Sequence, residues 1–522
     1  MFEAAELGRK LSKQEFQAIE PDLHTRLLKA QQALKNSNSS VIIIVSGVEG
    51  AGKGEVVNRL SEWLDTRDIN TNAFWEETDE QRLRPKYWRF WRTLPARGTM
   101  GIMFGSWYTR PIIDRVFDKI DEGDFERDLR RIVEFERMLA QDDALIIKFW
   151  FHLPKHEVEK EVKKDKDILE MKIKKSPLMQ KFSSQYDDFA SVSERAIRIT
   201  DKGQSPWHLI EASDRRYRDI TVGQILLNAM EKKLGEEKHR DDIQSSEEHE
   251  DVEVTHLTDD LAANRITILD HVDLTKTLTS KEYNQQLKHY QAKLFDLAWK
   301  AHHEKKSVVA VFEGWDASGK GGAIRRVTQA IDARLYKVIS VAAPTDEEKA
   351  HQYLWRFWRH IPLAGYLSLY DRSWYGRVLV ERVEGFAKEV EWKRAYSEIN
   401  HFEEQLCENG ISMVKFWIHL GKDEQLRRFK EREITPWKVH KITDEDWRNR
   451  ERWDAYKAAV NDMVAHTSTE FAPWSLIPGN DKKVARVEIL KTLCHALEQA
   501  LDSKKSDQAG LINDSKDDSK EK

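Results

Sequence analysis

Cysteine is nearly absent: Cys407 and Cys494 are the only two in 522 residues. Two thiols cannot build a disulfide framework or a zinc cluster, and they fit a reducing compartment. No apolar run approaches the ~18 residues that a membrane span needs. The most apolar short stretch, residues 41–45 (VIIIV), has the length of a strand. The first residues, MFEAAELGRKLSKQEF, lack the apolar core of a signal peptide. A cytoplasmic location away from membranes is therefore expected. Neither sign of charge dominates: 85 basic against 90 acidic residues leave a net charge of −5. That balance argues against a uniformly basic nucleic-acid-binding coat, although a local basic patch can hide inside it. What remains is the composition of a globular protein, 40% hydrophobic and 34% charged, with 18 tryptophans to be explained.

The tryptophans lead to a repeat. WRFW occurs at Trp88–Trp91 and again at Trp355–Trp358, 267 residues later. The same offset joins GAGK at 50–53 to ASGK at 317–320, and SWY at 106–108 to SWY at 373–375. It also joins KFWFHL at 148–153 to KFWIHL at 415–420, and PWHLI at 206–210 to PWSLI at 473–477. A constant offset over so long a span means two tandem copies of one domain rather than a solenoid. Between them, residues 235–256 carry nine acidic and two basic side chains and almost nothing apolar. A mobile linker is expected there. The organisation read from the chain is a first copy at 1–235, a linker at 236–256, a second copy at 257–502 and a disordered tail at 503–522.

Each copy alternates helical and strand patterns. Residues 14–35, 281–303, 389–409 and 485–501 have helical spacing; 41–46, 308–312, 367–371 and 412–418 are short apolar runs. Buried runs alternating with helices predict an α/β fold around a parallel sheet.

In the second copy a buried run leads into GWDASGK at 314–320, followed by a helical pattern. This is the GxxxxGK spacing of a phosphate-binding loop. Gly314, Gly319 and Gly321 let backbone N–H groups turn inward, the next helix adds its N-terminal dipole, and Lys320 adds a charge. A glycine-rich turn with no ligand is the plain alternative. Gly321 stands where such loops usually carry the Ser or Thr that holds Mg²⁺, so a carboxylate must replace it. Asp316 is the candidate, with a turn-capping role as its alternative. A second acidic group, Asp371, ends the run at 367–371 and is followed by Arg372, whose planar fork suits a phosphate. A structural ion pair is the competing reading. Farther on, residues 425–441 carry six basic and two acidic side chains. Arg428 and Arg432 share a helical face there. The run is either a solvated face or a basic helix that closes over phosphates.

GWDASGKGG (314–322), WRFWRHIP (355–362), YDRSWYGRVLVERV (370–383) and DEDWRNRERWDAY (444–456) together resemble the polyphosphate kinase-2 family. The resemblance spans residues 268–502 and, more weakly, 1–235. It implies a thymidylate-kinase-like P-loop kinase fold: a three-layer parallel sheet with a helical lid, in two tandem copies. It implies phosphoryl transfer between inorganic polyphosphate and nucleotides with Mg²⁺ as cofactor. The tandem two-domain subgroup phosphorylates AMP to ADP. Asp316, Lys320, Asp371 and Arg372 match its catalytic positions, with Asp316 and Asp371 holding Mg²⁺ directly or through water. Arg377 matches a phosphate-contacting arginine; Arg428, Arg432 and Lys438 match basic positions of the lid. A homodimer of two-domain chains is expected. Rival readings are an ATP-dependent nucleoside monophosphate kinase, a family member acting on nucleoside diphosphates, and a non-catalytic polyphosphate-binding scaffold.

The copies are unequal. Lys320 is kept as Lys53 and Gly314 as Gly47, but Asp316 becomes Glu49, Asp371 becomes Phe104 and Arg372 becomes Gly105. In the lid, Arg428, Arg432 and Lys438 become Glu161, Asp165 and Met171. The packing residues Trp88, Trp91, Trp107, Phe149, Trp150 and Trp207 stay. The chemistry is therefore expected in the second copy, with the first keeping the fold and either serving an interface or holding polyphosphate through Lys53.

Overall fold

A computed structural model describes residues 1–74, 76–160, 185–247, 267–436, 439 and 442–517. These fall into two compact units. One comprises Met1–Glu77, Arg89–Val254 and Thr345–Trp355; the other comprises Thr78–Trp88, Thr255–Pro344 and Arg356–Lys522. Each unit thus takes one short segment from the sequence of the other copy.

The first unit is built on strands β1 (Ser40–Gly47), β2 (Ile69–Ala73), β3 (Met100–Phe104), β4 (Ala144–His152) and β5 (Trp207–Glu211). They form one sheet in the order β2-β3-β1-β4-β5, parallel throughout. The second unit repeats this as β6 (Ser307–Gly314), β7 (Tyr336–Ser340), β8 (Leu367–Asp371), β9 (Ile411–His419) and β10 (Trp474–Pro478), in the order β7-β8-β6-β9-β10. Every strand of the second sheet begins and ends 267 residues after its counterpart. Each unit is an α/β parallel-sheet layer of the P-loop kinase type.

The central strands are apolar on both faces because helices cover both. On one face of the second sheet, Val308, Ala310 and Phe312 of β6 pack with Leu369, Phe416 and Ile418. Three helices close that face: Ser280–His303, Lys320–Thr328 and Lys482–Asp517, through residues such as Leu294, Ile324 and Ile489. On the opposite face, helix Glu389–Glu408 lies against β9 and against helix Trp453–Thr467. Val309 and Val311, which alternate with the first set, are fully buried. The edge strands β2 and β7 (INTNA and YKVIS) are partly exposed and carry no continuous apolar run. Their pattern was therefore weak in the sequence.

Two helices run beyond expectation. Arg215–Glu247 continues into the acidic stretch, and Lys482–Asp517 continues into the C-terminal one. Among the described residues no helix is long and apolar enough to cross a membrane.

Candidate active site

The second unit's site lies at the carboxyl end of its sheet, where the chain leaves β6. Gly314 has φ 149°, and a Cβ there would lie 2.6 Å from the Ile418 carbonyl on β9. Only glycine allows strand and loop to approach so closely. The loop ends at Gly319 (φ 110°), the N-cap of helix α1 (Lys320–Thr328). A Cβ at Gly319 would meet nothing within 4 Å, so the loop opens into free space. The Lys320 ammonium donates to Gly314 O (2.6 Å) and Trp315 O (3.4 Å). An ammonium has three donors, which leaves one for an anion. The buried Ser318 hydroxyl has no hydrogen-bond partner among the described residues.

This loop forms one wall of a cavity of about 780 Å³ that also takes in Gly321, Asp371, Arg372, Arg428 and Arg432. Gly314 lies outside its lining, behind the loop. Residues that the sequence reading did not single out complete the basic wall: Arg325, Arg326, Lys482 and Arg486. Arg325 and Arg326 come from helix α1, and Lys482 and Arg486 from the start of helix Lys482–Asp517, which is distant in sequence.

Asp316 accepts from Asn449 Nδ2 at 3.0 Å through Oδ2, and its Oδ1 lies 3.5 Å from Arg372 Nη2. Asp371 ends β8 and lines the same cavity. Arg372 has φ 65° and Ala317 φ 60°, both left-handed, whereas the matching residues of the first copy are Gly105 (φ 73°) and Gly50 (φ 85°). Burial opposes the Arg372 charge, but Asp316 and Glu313 outweigh it and hold the guanidinium above its ordinary range. Glu313, at the end of β6, is buried and accepts from Ser373 Oγ at 2.8 Å. Burial pushes its carboxyl up, against the pull of Lys320. This third carboxyl also escaped the sequence reading, because it lies inside the apolar run of a strand. Asp316 and Asp371 offer hard oxygen donors at the mouth of a phosphate-sized loop. Among the described residues no group of three or more His, Cys, Asp or Glu side chains is placed to hold an ion. A pair of carboxylates fits Mg²⁺, which keeps waters and shares its coordination with substrate phosphates.

Two expected phosphate contacts are placed otherwise. Arg377 is absent from the cavity lining and pairs with Glu381 (3.2 Å) and Glu391 (3.9 Å). Arg428 lines the cavity, but all five of its N–H donors are taken. Nε bonds Glu424, Nη1 bonds Ala317 O and Ser318 O, and Nη2 bonds Gly479 O and Asn480 O. It is buried and fastens helix α2 (Lys422–Ile434) to the back of the loop. Arg427 first, and Arg428 with it, draw the Glu424 carboxyl down to about 2. Lys438 lies outside the described residues, as do the first-copy lid positions Glu161, Asp165 and Met171.

The first unit closes the equivalent loop upon itself. Lys53 donates to Gly47 O (2.9 Å), Val48 O (2.9 Å) and Glu49 Oε2 (2.7 Å), so all three ammonium donors are spent. The extra methylene of Glu49 lets it reach back to the lysine, which Asp316 does not do. A Cβ at Gly52 would lie 1.7 Å from Arg218 Nη1, whose guanidinium fills the mouth of the loop. At the strand ends, Phe74, Phe104, Ile112, Trp150 and Phe189 wall an apolar cavity of about 170 Å³.

What the copies share is buried and structural. Lys415 Nζ donates to Glu403 (2.7 Å), Tyr375 Oη (2.8 Å) and Thr467 O (2.7 Å), and Trp374 Nε1 also reaches Glu403 (3.0 Å). Lys148, Glu136, Tyr108, Thr200 and Trp107 repeat these bonds in the first unit. The SWY and KFW motifs therefore belong to a core ion pair, and their tryptophans pack as expected.

Comparison with known proteins places these features in context. The model of a family described as polyphosphate kinase 2 (PPK2) matches residues 10–238 and 277–505. A polyphosphate:AMP phosphotransferase of Pseudomonas aeruginosa is 47% identical over 501 residues, covering 96% of this chain and 99% of the relative. One from Pseudomonas syringae pv. tomato is 46% identical over the same shares. A crystal structure from Pseudomonas aeruginosa PA01, assigned to polyphosphate kinase 2, superposes with a TM-score of 0.84 at 44% identity, covering 97% of this chain and all of that one.

Proposed function

We propose that this chain, which belongs to the polyphosphate kinase 2 family, transfers the terminal phosphoryl group of inorganic polyphosphate to AMP, giving ADP. We place the chemistry in the second copy, with Mg²⁺ as cofactor. One contrast carries the assignment of the copy: Lys320 keeps a donor above an open loop, whereas Lys53 spends all three on its own backbone and Glu49. The acceptor is supported by full-length relatives that carry the name polyphosphate:AMP phosphotransferase.

The chain's residues divide the work as follows. The N–H groups of the loop, the N-terminus of helix α1, Lys320 and Ser318 hold the reacting end of the polyphosphate. Arg325, Arg326, Lys482 and Arg486 extend positive charge along the cavity for the phosphates behind it. An AMP α-phosphate oxygen attacks the terminal phosphorus, and the bond to the next bridging oxygen breaks in line. The attacking oxygen is already anionic, so no general base is required. Arg372 and Arg432 offset charge on the equatorial oxygens. Asp316 and Asp371 would hold Mg²⁺, which would supply positive charge to neutralise the reacting phosphates. Positioning and electrostatics carry the rate.

The test is ADP formation from AMP and Mg²⁺ with either polyphosphate or ATP as donor. Polyphosphate alone should support turnover, and Asp371→Asn should lower kcat about 10³-fold with the fold intact. Turnover with ATP but not polyphosphate would refute the donor. Near wild-type activity of Asp371→Asn would refute the site.

A further inference from the structure

The two copies form an internal control. Residues that keep the fold recur 267 positions apart, as the Lys415–Glu403 and Lys148–Glu136 networks do. Residues that serve only the chemistry should be lost together from the first copy. One partly buried polar chain, running from the 444–456 stretch to Asp316, shows that pattern.

Asn449 sits on helix α3 (Asp444–Glu451) and Tyr456 on helix α4 (Trp453–Thr467). Tyr456 Oη donates to Asn449 Oδ1 at 3.1 Å, and Asn449 Nδ2 donates to Asp316 Oδ2 at 3.0 Å. The direction is chemically determined. An ionised Asp316 only accepts, so the amide must turn its NH₂ toward it and its oxygen toward the phenol. Burial holds the Tyr456 phenol well above its ordinary range, so it stays a donor at any working pH. Asp316 is then clamped on both sides: Asn449 on Oδ2 and Arg372 3.5 Å from Oδ1. In the first copy the three positions are Glu49, Phe182 and Phe189. The amide and the hydroxyl have both gone, and the longer Glu49 carboxylate turns to Lys53 instead, although the neighbouring core ion pair is intact.

We infer that Tyr456 and Asn449 are positioning residues that act in series on Asp316, holding its carboxylate in the orientation that meets the cation and the phosphate. The inference rests on the reading that Asp316 is a metal-holding residue of this site. Loss of such an outer partner typically costs about 10–100-fold in metal affinity or activity.

The experiment compares wild type with Asn449→Ala, Tyr456→Phe, the double variant and Asp316→Asn. Steady-state kinetics are paired with Mn²⁺ titration followed by electron paramagnetic resonance, in the presence of tripolyphosphate and without AMP. Asn449→Ala should weaken Mn²⁺ binding and lower kcat about 10-fold or more, with the KM for AMP changed less than twofold. Tyr456→Phe, which installs the first copy's own residue and preserves packing, should lose less in the same direction. The double variant should be no worse than Asn449→Ala, because the two act in series. Mn²⁺ affinity and kcat within twofold of wild type in both single variants, with Asp316→Asn inactive, would overturn the inference alone. A fully active Asp316→Asn would overturn the underlying reading as well.

Discussion

At the scale of single residues, strain separates the two loops. Arg372 and Ala317 occupy left-handed backbone, a conformation that glycine adopts freely and other residues adopt at a cost of about 1–3 kcal/mol. The first copy has glycine at both positions. The second copy therefore retains side chains where the backbone disfavours them, as expected if Arg372 is needed at that point. Replacing Ala317 with glycine should raise the melting temperature by about 2–4 °C for each kcal/mol of strain released. Arg372→Gly should leave the melting temperature no lower while cutting kcat about 10²–10³-fold. Calorimetry and kinetics on the two variants separate these effects. A lowered melting temperature in Ala317→Gly would show that the loop is not strained there.

At the scale of elements, the recurrent SWY and KFW motifs lock helix Glu389–Glu408, strand β9 and helix α4 around Glu403 and Lys415. Both side chains are completely buried. Burial pushes the Glu403 carboxyl up and pulls the Lys415 ammonium down, each partly offset by its partner. Lys415→Met should cost about 3–5 kcal/mol because it strands a buried carboxyl, and Lys148→Met should cost about the same in the first unit. The deficit has a defined pH dependence. A carboxyl whose folded pKa lies above its unfolded one favours the fold below the unfolded value, and that contribution is lost as pH rises. Without its lysine, Glu403 is shifted further up, so the Lys415→Met deficit should grow between pH 5 and pH 8. Thermal unfolding across that range measures it. Arg428 belongs to this scale too, since its full set of bonds joins helix α2 to the loop rather than to a ligand.

At the scale of the whole molecule, two copies of one fold hold opposite electrostatic settings. The second copy exposes its lysine, carboxylates and arginines to a wide polar cavity, whereas the first turns the same strand ends into an apolar one. Under the proposed division of labour, Lys320→Ala should reduce turnover by at least about 10²-fold, and Lys53→Ala should leave it within twofold. Equal losses in both variants would refute the division. The net charge of −5 conceals this arrangement, because the acidic stretch between the copies offsets the basic residues gathered at one site.

Much of this was legible in the chain itself. The duplication, the α/β alternation, the phosphate loop and the loss of Asp371 and Arg372 from the first copy follow from local spacing and residue type, which a linear pattern records. The tertiary structure decided which charged groups spend their donors within the fold. Arg428 and Lys53 look like phosphate-binding residues in sequence, yet every one of their donors is taken by neighbouring backbone carbonyls and carboxylates. Asn449 and Lys482 have no role assigned from the sequence, yet packing brings them to Asp316 and to the cavity wall. A charge contributes to a site only through the donors left after the fold has used its share, and that remainder depends on contacts between residues distant in sequence.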